Sequence, residues 1–159
     1  MGEEKKGQNE EPKPKNTGET KLLLLIAIAV LGRILMEPFP SVEPIIPIAV
    51  YAGLVYGADA GILVGLFSYP ISNFFMLGGP FGLWTILQAA GGAISGGLAG
   101  NAKEVNTGAL VTYSVIGTII FELLLNFGDR VPFVWPFSYV HIVSNVIFAL
   151  IISSFLKEK

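Results

Sequence analysis

The sequence predicts an all-α fold, a polytopic membrane bundle of six short transmembrane helices, and three observations carry that prediction. Of its 159 residues 52% are hydrophobic and only 14% charged, with a mean hydropathy of +0.65, whereas about a quarter of the residues of a soluble domain are charged. The charge is also unevenly placed, because residues 1–21 hold ten of the twenty-two charged side chains, five lysines and five glutamates. From Lys21 onward, hydrophobic runs about long enough to cross 30 Å of hydrocarbon alternate with short clusters of Pro, Gly and charge.

Two segments follow from that division: a disordered polar tail over residues 1–20 and a six-helix transmembrane domain over 21–159. The tail is rich in Glu, Lys, Pro, Gly and Asn and holds one large apolar residue, so it cannot bury enough surface to offset chain entropy. The first span covers about Lys21 to Met36 and ends at Glu37-Pro38-Phe39-Pro40. The second covers about Val42 to Tyr56, with Pro44 and Pro47 near its start, where a missing backbone donor does least harm. Gly57-Ala58-Asp59 forms a tight turn with Asp59 as N-cap of the third span, which reaches about Leu77. Gly78-Gly79-Pro80 breaks the chain before the fourth span, about Phe81 to Gly100. A polar loop from Asn101 to Thr107 leads to the fifth, about Gly108 to Phe127, and Gly128 to Pro132 leads to the sixth, about Val134 to Leu156.

Orientation follows from the placement of lysine and arginine. Lys13, Lys15, Lys21, Lys103, Lys157 and Lys159 gather on one side, whereas the other has Arg130 and, near a helix end, Arg33; both termini are therefore expected in the cytoplasm of a cell (plasma) membrane protein.

The net charge of -2 and the lack of a basic stripe exclude nucleic acid as a partner. Zero cysteines exclude thiol chemistry and thiolate metal sites, and His141 alone offers a nitrogen ligand, so neither a metal nor a cofactor is expected. No G-x-x-x-x-G-K-[ST] occurs, hence no ATPase in this chain. Ala93-Ile94-Ser95-Gly96 is one residue from the Gly-x-Ser-Gly of rhomboid intramembrane proteases, but the orientation puts Ser95 in the cytoplasmic half and His141 in the outer half. No catalytic residue is expected, and an intramembrane serine protease stays a remote alternative.

Glycines recur every fourth residue at Gly53, Gly57, Gly61 and Gly65 and again at Gly92, Gly96 and Gly100. Small residues at this spacing let helix backbones approach closely in lipid, either within one chain or against a partner helix. Polar groups inside spans are costly unless paired or facing a cavity, so they mark an interior. Arg33, Glu37, Asn73, Gln88, Glu122, Asn126, His141 and Asn145 form that set, and most fall in the outer half. Phe74, Phe75, Trp84, Trp135 and Phe137 gather at the same level, and apolar aromatics with a few convergent polar groups suit a small organic ligand.

The stretch "GILVGLFSYPISNFFMLGGPFGLWTILQAAGGAISGGLAG", with the Gly-Arg of the first span and "AGLVYGADAGILVG", resembles the substrate-binding S components of energy-coupling factor (ECF) vitamin transporters over about residues 21–156. The resemblance implies a substrate-capture subunit of an ATP-driven importer that takes a vitamin or related micronutrient from outside, cobalamin-, riboflavin-, biotin- and queuine-type ligands all being open. It implies a pocket between the outer helix halves and the loops at Glu37 to Glu43, Gly78 to Phe81 and Gly128 to Val134. Asn73, Gln88, Asn126 and Asn145 would supply hydrogen bonds, Arg33 and Glu122 charge, Trp84 and Trp135 a stacking wall, with Phe74 and the loop Gly78, Gly79, Pro80 as gate and Glu37 and His141 among the lining residues. The partner would be a transmembrane coupling subunit bearing two ATPases. Members commonly dock through Ala-x-x-x-Ala on the first helix, where this chain has Ala27, Ala29 and Gly32. The competing class is a non-catalytic scaffold or assembly protein of the cell envelope, whose glycine ladders bind partner helices.

Overall fold

A computed structural model of the chain describes residues 17–76, 81–127 and 133–156. Six helices and no strand occur among the described residues: α1 (Thr17–Leu35), α2 (Ile45–Tyr56), α3 (Ala58–Phe75), α4 (Leu83–Ala99), α5 (Thr107–Leu125) and α6 (Phe137–Ser153). By length and composition α5 is the one described helix that is long and apolar enough to cross a membrane, with 19 residues and a mean hydropathy of 1.9, while α2 and α6 are apolar but shorter.

Three expectations need correction. The tail boundary moves, because α1 begins at Thr17 and takes in four residues assigned to the polar tail; the remainder of the tail lies outside the described residues. Asp59 is not the N-cap of α3: Gly57 holds that position with φ +96°, a conformation open to glycine, and Asp59 sits in the first helical turn, where its charge suits the helix dipole. The second segment is helical over 12 residues only, a rise of about 18 Å. Its helix starts after Pro44, and Val42 and Glu43 belong to the preceding connection.

The short α2 is the axis of the molecule. Ile45 to Leu54 are buried apart from Tyr51, and α2 packs against each of the other five helices, the placement expected of a helix apolar on all sides. One end of the bundle gathers the C-terminal ends of α1, α3 and α5 with the N-terminal ends of α2, α4 and α6 around a common cleft, so helices successive in sequence run in opposite directions. At the other end the Lys21 ammonium lies 5.8 Å from the centre of the Tyr56 ring, joining the start of α1 to the end of α2.

The most extensive helix pair is α3 with α4, and glycine explains it. A methyl group on Gly61 or Gly96 would overlap the other's backbone, one on Gly65 would overlap Gly92, one on Gly53 the Gly96 carbonyl, and one on Gly100 the backbone of Ala58. The ladders therefore face each other inside the chain. Gly57, although in register with them, has nothing near its missing side chain and serves the turn.

Candidate functional site

Arg33, in the last turn of α1, organises one half of the polar end. Its Nη1 donates to Ser72 Oγ at 2.6 Å and to Asn73 Oδ1 at 2.5 Å, and its Nε pairs with Glu43 Oε2 at 2.8 Å. The Asn73 amide donates onward to Gln88 Oε1 at 2.8 Å and Thr85 Oγ1 at 3.2 Å, so α1, α3 and α4 are tied by side chains where the glycine contacts end. Pro70 lies one turn before Asn73 and removes the ladder bond that residue would make to the Leu66 carbonyl.

Glu122 organises the other half. His141 Nδ1 lies 2.7 Å from Glu122 Oε1 and donates to it, since a carboxylate only accepts. Ser138 and Asn126 both donate to Glu122 Oε2, the latter at 3.1 Å.

Glu43 joins the halves. Its Oε1 accepts from the Tyr69 hydroxyl and lies 3.3 Å from His141 Nε2, a distance at which charges attract, although Nε2 makes no hydrogen bond. Arg33, Glu43, His141 and Glu122 thus form a buried chain of ionisable groups, each at most 9% exposed. Such groups persist in an apolar bundle only when each is compensated by its neighbours. Burial pushes the Glu43 carboxyl up, but the His141 ring and the Arg33 guanidinium beside it outweigh burial and hold it below the usual carboxylate range. Ring packing locks the same groups: Arg33 lies 5.1 Å from the Tyr69 ring centre, Tyr69 stacks on Phe121 at 5.1 Å, and Phe121 meets His141 edge-on at 5.2 Å.

Above this floor opens a cleft of about 370 Å³. Arg33, Gln88, Glu122, Asn126 and His141 line it, with Glu37 and Trp84 more exposed toward its rim. Of the predicted set, these seven share one wall system. Asn73 stands just behind, binding Arg33 and Gln88.

Others are placed elsewhere. Asn145 lies one turn deeper and donates to Thr118 Oγ1 at 2.8 Å. Phe74 is 72% exposed and packs edge-on against Phe75 and Phe81, so it is no cover for the cleft. Trp135 is 75% exposed and lines a separate apolar groove along α6 with Tyr139, Val143 and Ile147. The proposed gate residues Gly78, Gly79 and Pro80 lie outside the described residues. Ala27 is exposed, whereas Ala29 is fully buried and Gly32 packs on Pro44, so the three residues assigned to docking do not form one outward face. Ser95 donates to the Gly91 carbonyl at 2.7 Å and packs against Gly117, while His141 is engaged by Glu122; the two are not a hydrogen-bonded pair.

Sequence reasoning reached Glu43 only as the end of a pocket loop, with no role of its own, and missed Tyr69, Ser72, Thr85 and Ser138. Tyr69 stands four residues before Asn73 and Ser138 three before His141, spacings that place each pair on one helix face and could have revealed both. Glu43 carried a weaker sign, a lone carboxylate at the mouth of a strongly apolar segment.

The model of a family of unknown function, DUF6580, matches residues 14–156, nearly the whole chain. The chain belongs to that family. No curated protein and no solved structure matches this DUF6580 member.

Proposed function

We propose that this DUF6580 member is a multi-spanning membrane protein that captures a small solute from outside the cell, the substrate-binding subunit of an ECF-type importer. The observation that carries the proposal is the cleft itself: side chains from α1, α4, α5 and α6 converge at one end of the bundle on a preorganised polar floor beneath aromatic walls.

A lipid setting is supported by the outer surface. Leu24, Ile28, Leu31 and Leu35 on α1 and Val143, Ile147 and Ile151 on α6 are exposed at helical spacing, forming apolar stripes that water would disfavour and acyl chains would cover. Sidedness is supported by Lys21 and Lys103, which stand at the end of the bundle opposite the cleft; lysines favour the cytoplasmic side, which leaves the cleft facing out.

The chain carries no ATPase motif, and on the importer reading the energy for inward release comes from a coupling subunit with two ATPases. A volume near 370 Å³ lies at the small end of the roughly 300–1,000 Å³ range of organic-ligand sites, favouring a one- or two-ring micronutrient over a corrinoid. The scaffold alternative fares worse, because the glycine ladders that would bind partner helices are already occupied by each other.

The test is native mass spectrometry of the full chain purified in mild detergent. A co-purifying small organic molecule is expected, with retention reduced about tenfold by Gln88→Ala or Trp84→Ala. Protein that carries no solute, or retention unchanged in both variants, overturns the carrier proposal.

A further inference from the structure

Resting on the carrier proposal, we infer that the captured solute is an amphiphile, with a polar, ring-bearing head seated in the cleft and a hydrocarbon tail laid along α6 in the apolar groove. That groove measures about 430 Å³, and no charged residue occurs among the described residues that line it. Its accessible lining, from Trp135 and Tyr139 to Ile147 and Phe148, is almost wholly carbon. A polar head finds little to hold there, whereas a hydrocarbon chain matches it along its length.

Cleft and groove are neighbours on two faces of one helix. Phe137, Ser138 and His141 face the cleft, while Tyr139, Val140, Val143 and Ile147 face the groove. Val42 is the one described residue that lines both, so the two hollows meet at its half-buried side chain. Beside it the connection touches α6 through a hydrogen bond from Ser144 Oγ to the Ser41 carbonyl at 3.2 Å. The same hydroxyl lies 3.0 Å from the His141 carbonyl and has one proton for both acceptors, which makes the fastening light. Ser41 holds φ +62°, alone among the described non-glycine residues in the left-handed region, and backbone held in that way clusters at ligand clamps and switch segments. At Val42 the partition between a head site and a tail site is thin.

The groove also has the level and length that a membrane-borne solute requires. It begins at Trp135 and Tyr139, whose rings pack edge-on 5.1 Å apart, and tryptophan and tyrosine favour the headgroup level of a bilayer. From Phe137 to Ile147 the helix rises about 15 Å, half of a hydrocarbon core of about 30 Å. An amphiphile dissolved in the outer leaflet therefore carries its head at the height of the cleft and its tail at the height of the groove, and lateral movement brings it to both. A fully water-soluble solute would fill the cleft alone and leave the groove to lipid.

The test is native mass spectrometry of the full chain in mild detergent, with the released adduct identified by mass and fragmentation. Val143→Trp and Ile147→Trp each narrow the groove at positions 58% and 53% exposed, where a larger side chain leaves the core alone, and an unchanged Tm verifies the fold of each variant. The expected adduct has a hydrocarbon tail on a polar head. Each groove variant should lower its retention about tenfold, the loss that goes with two methylenes leaving an apolar site, and Gln88→Ala should lower it from the head side. An adduct without a tail, or a tailed one retained equally by both groove variants, overturns the amphiphile assignment and leaves the carrier proposal standing. A phospholipid lost from the groove variants beside a tail-less solute identifies a bilayer lipid in the groove and overturns the assignment in the same way. Protein that carries no adduct overturns the carrier proposal, and the amphiphile assignment falls with it.

Discussion

Helices α3 and α4 meet in two different ways along their length, and the contrast explains how a bundle this small can keep an open polar cleft. In the lower part the contact is backbone on backbone, with Gly61 and Gly65 against Gly96 and Gly92 and no side chain between them. Toward the other end the contact is side chain to side chain, with Asn73 bonded to Gln88 and Thr85, and Tyr69 and Ser72 turned toward Glu43 and Arg33. Where apolar burial between helices supplies little drive, dispersion contact at the glycine seam holds the pair together. The polar end takes no part in that seam.

Substitutions separate the two regions, and the seam should give the largest effect. Gly65→Val places a branched side chain on the Gly92 backbone, which cannot yield as a flexible side chain would; a loss of about 3 kcal/mol or more is expected, read as a collapse of the monodisperse species in thermal unfolding in detergent. A variant with unchanged Tm would mean that the two helices are not held by this seam.

A smaller loss is expected from the polar end. Glu122→Ala strips the partner of His141, Ser138 and Asn126 and should cost about 3 kcal/mol at most, since the cleft admits water to the vacated site; Glu122→Gln, which keeps an acceptor, should cost less. Equal thermal shifts for the two variants would argue that the charge of Glu122, and not its hydrogen bonds, holds the floor together.

The smallest effect should come from Gly57→Ala, about 1 kcal/mol. Nothing stands near the added methyl, so the cost is that of a positive φ alone. A loss as large as that of Gly65→Val would mean that the turn takes part in the seam.

The helix number and the membership of most of the polar set were legible in the sequence, because hydrophobic runs and their Pro and Gly breaks are local signals. Azimuth was not. Phe74, on α3, and Trp135, in the turn before α6, stand at the right level of the bundle yet turn away from the cleft; a largely apolar helix gives little periodic contrast from which to learn which way a residue points, and a turn gives none. Glu43 was hidden for a related reason: it lies in a connection, where helical spacing says nothing, and it becomes the hub only because α2 starts late and leaves that connection inside the bundle. The glycine pairs, by contrast, were foreseeable as a close-packing pattern, though the sequence alone left their partner open.

A seam made of main-chain atoms has a further consequence. Because α3 and α4 recognise each other through atoms common to every amino acid, the chassis asks only that a handful of positions stay small and makes no demand on the side chains at the opposite end. Residues around the cleft can therefore be exchanged while the frame stays as it is.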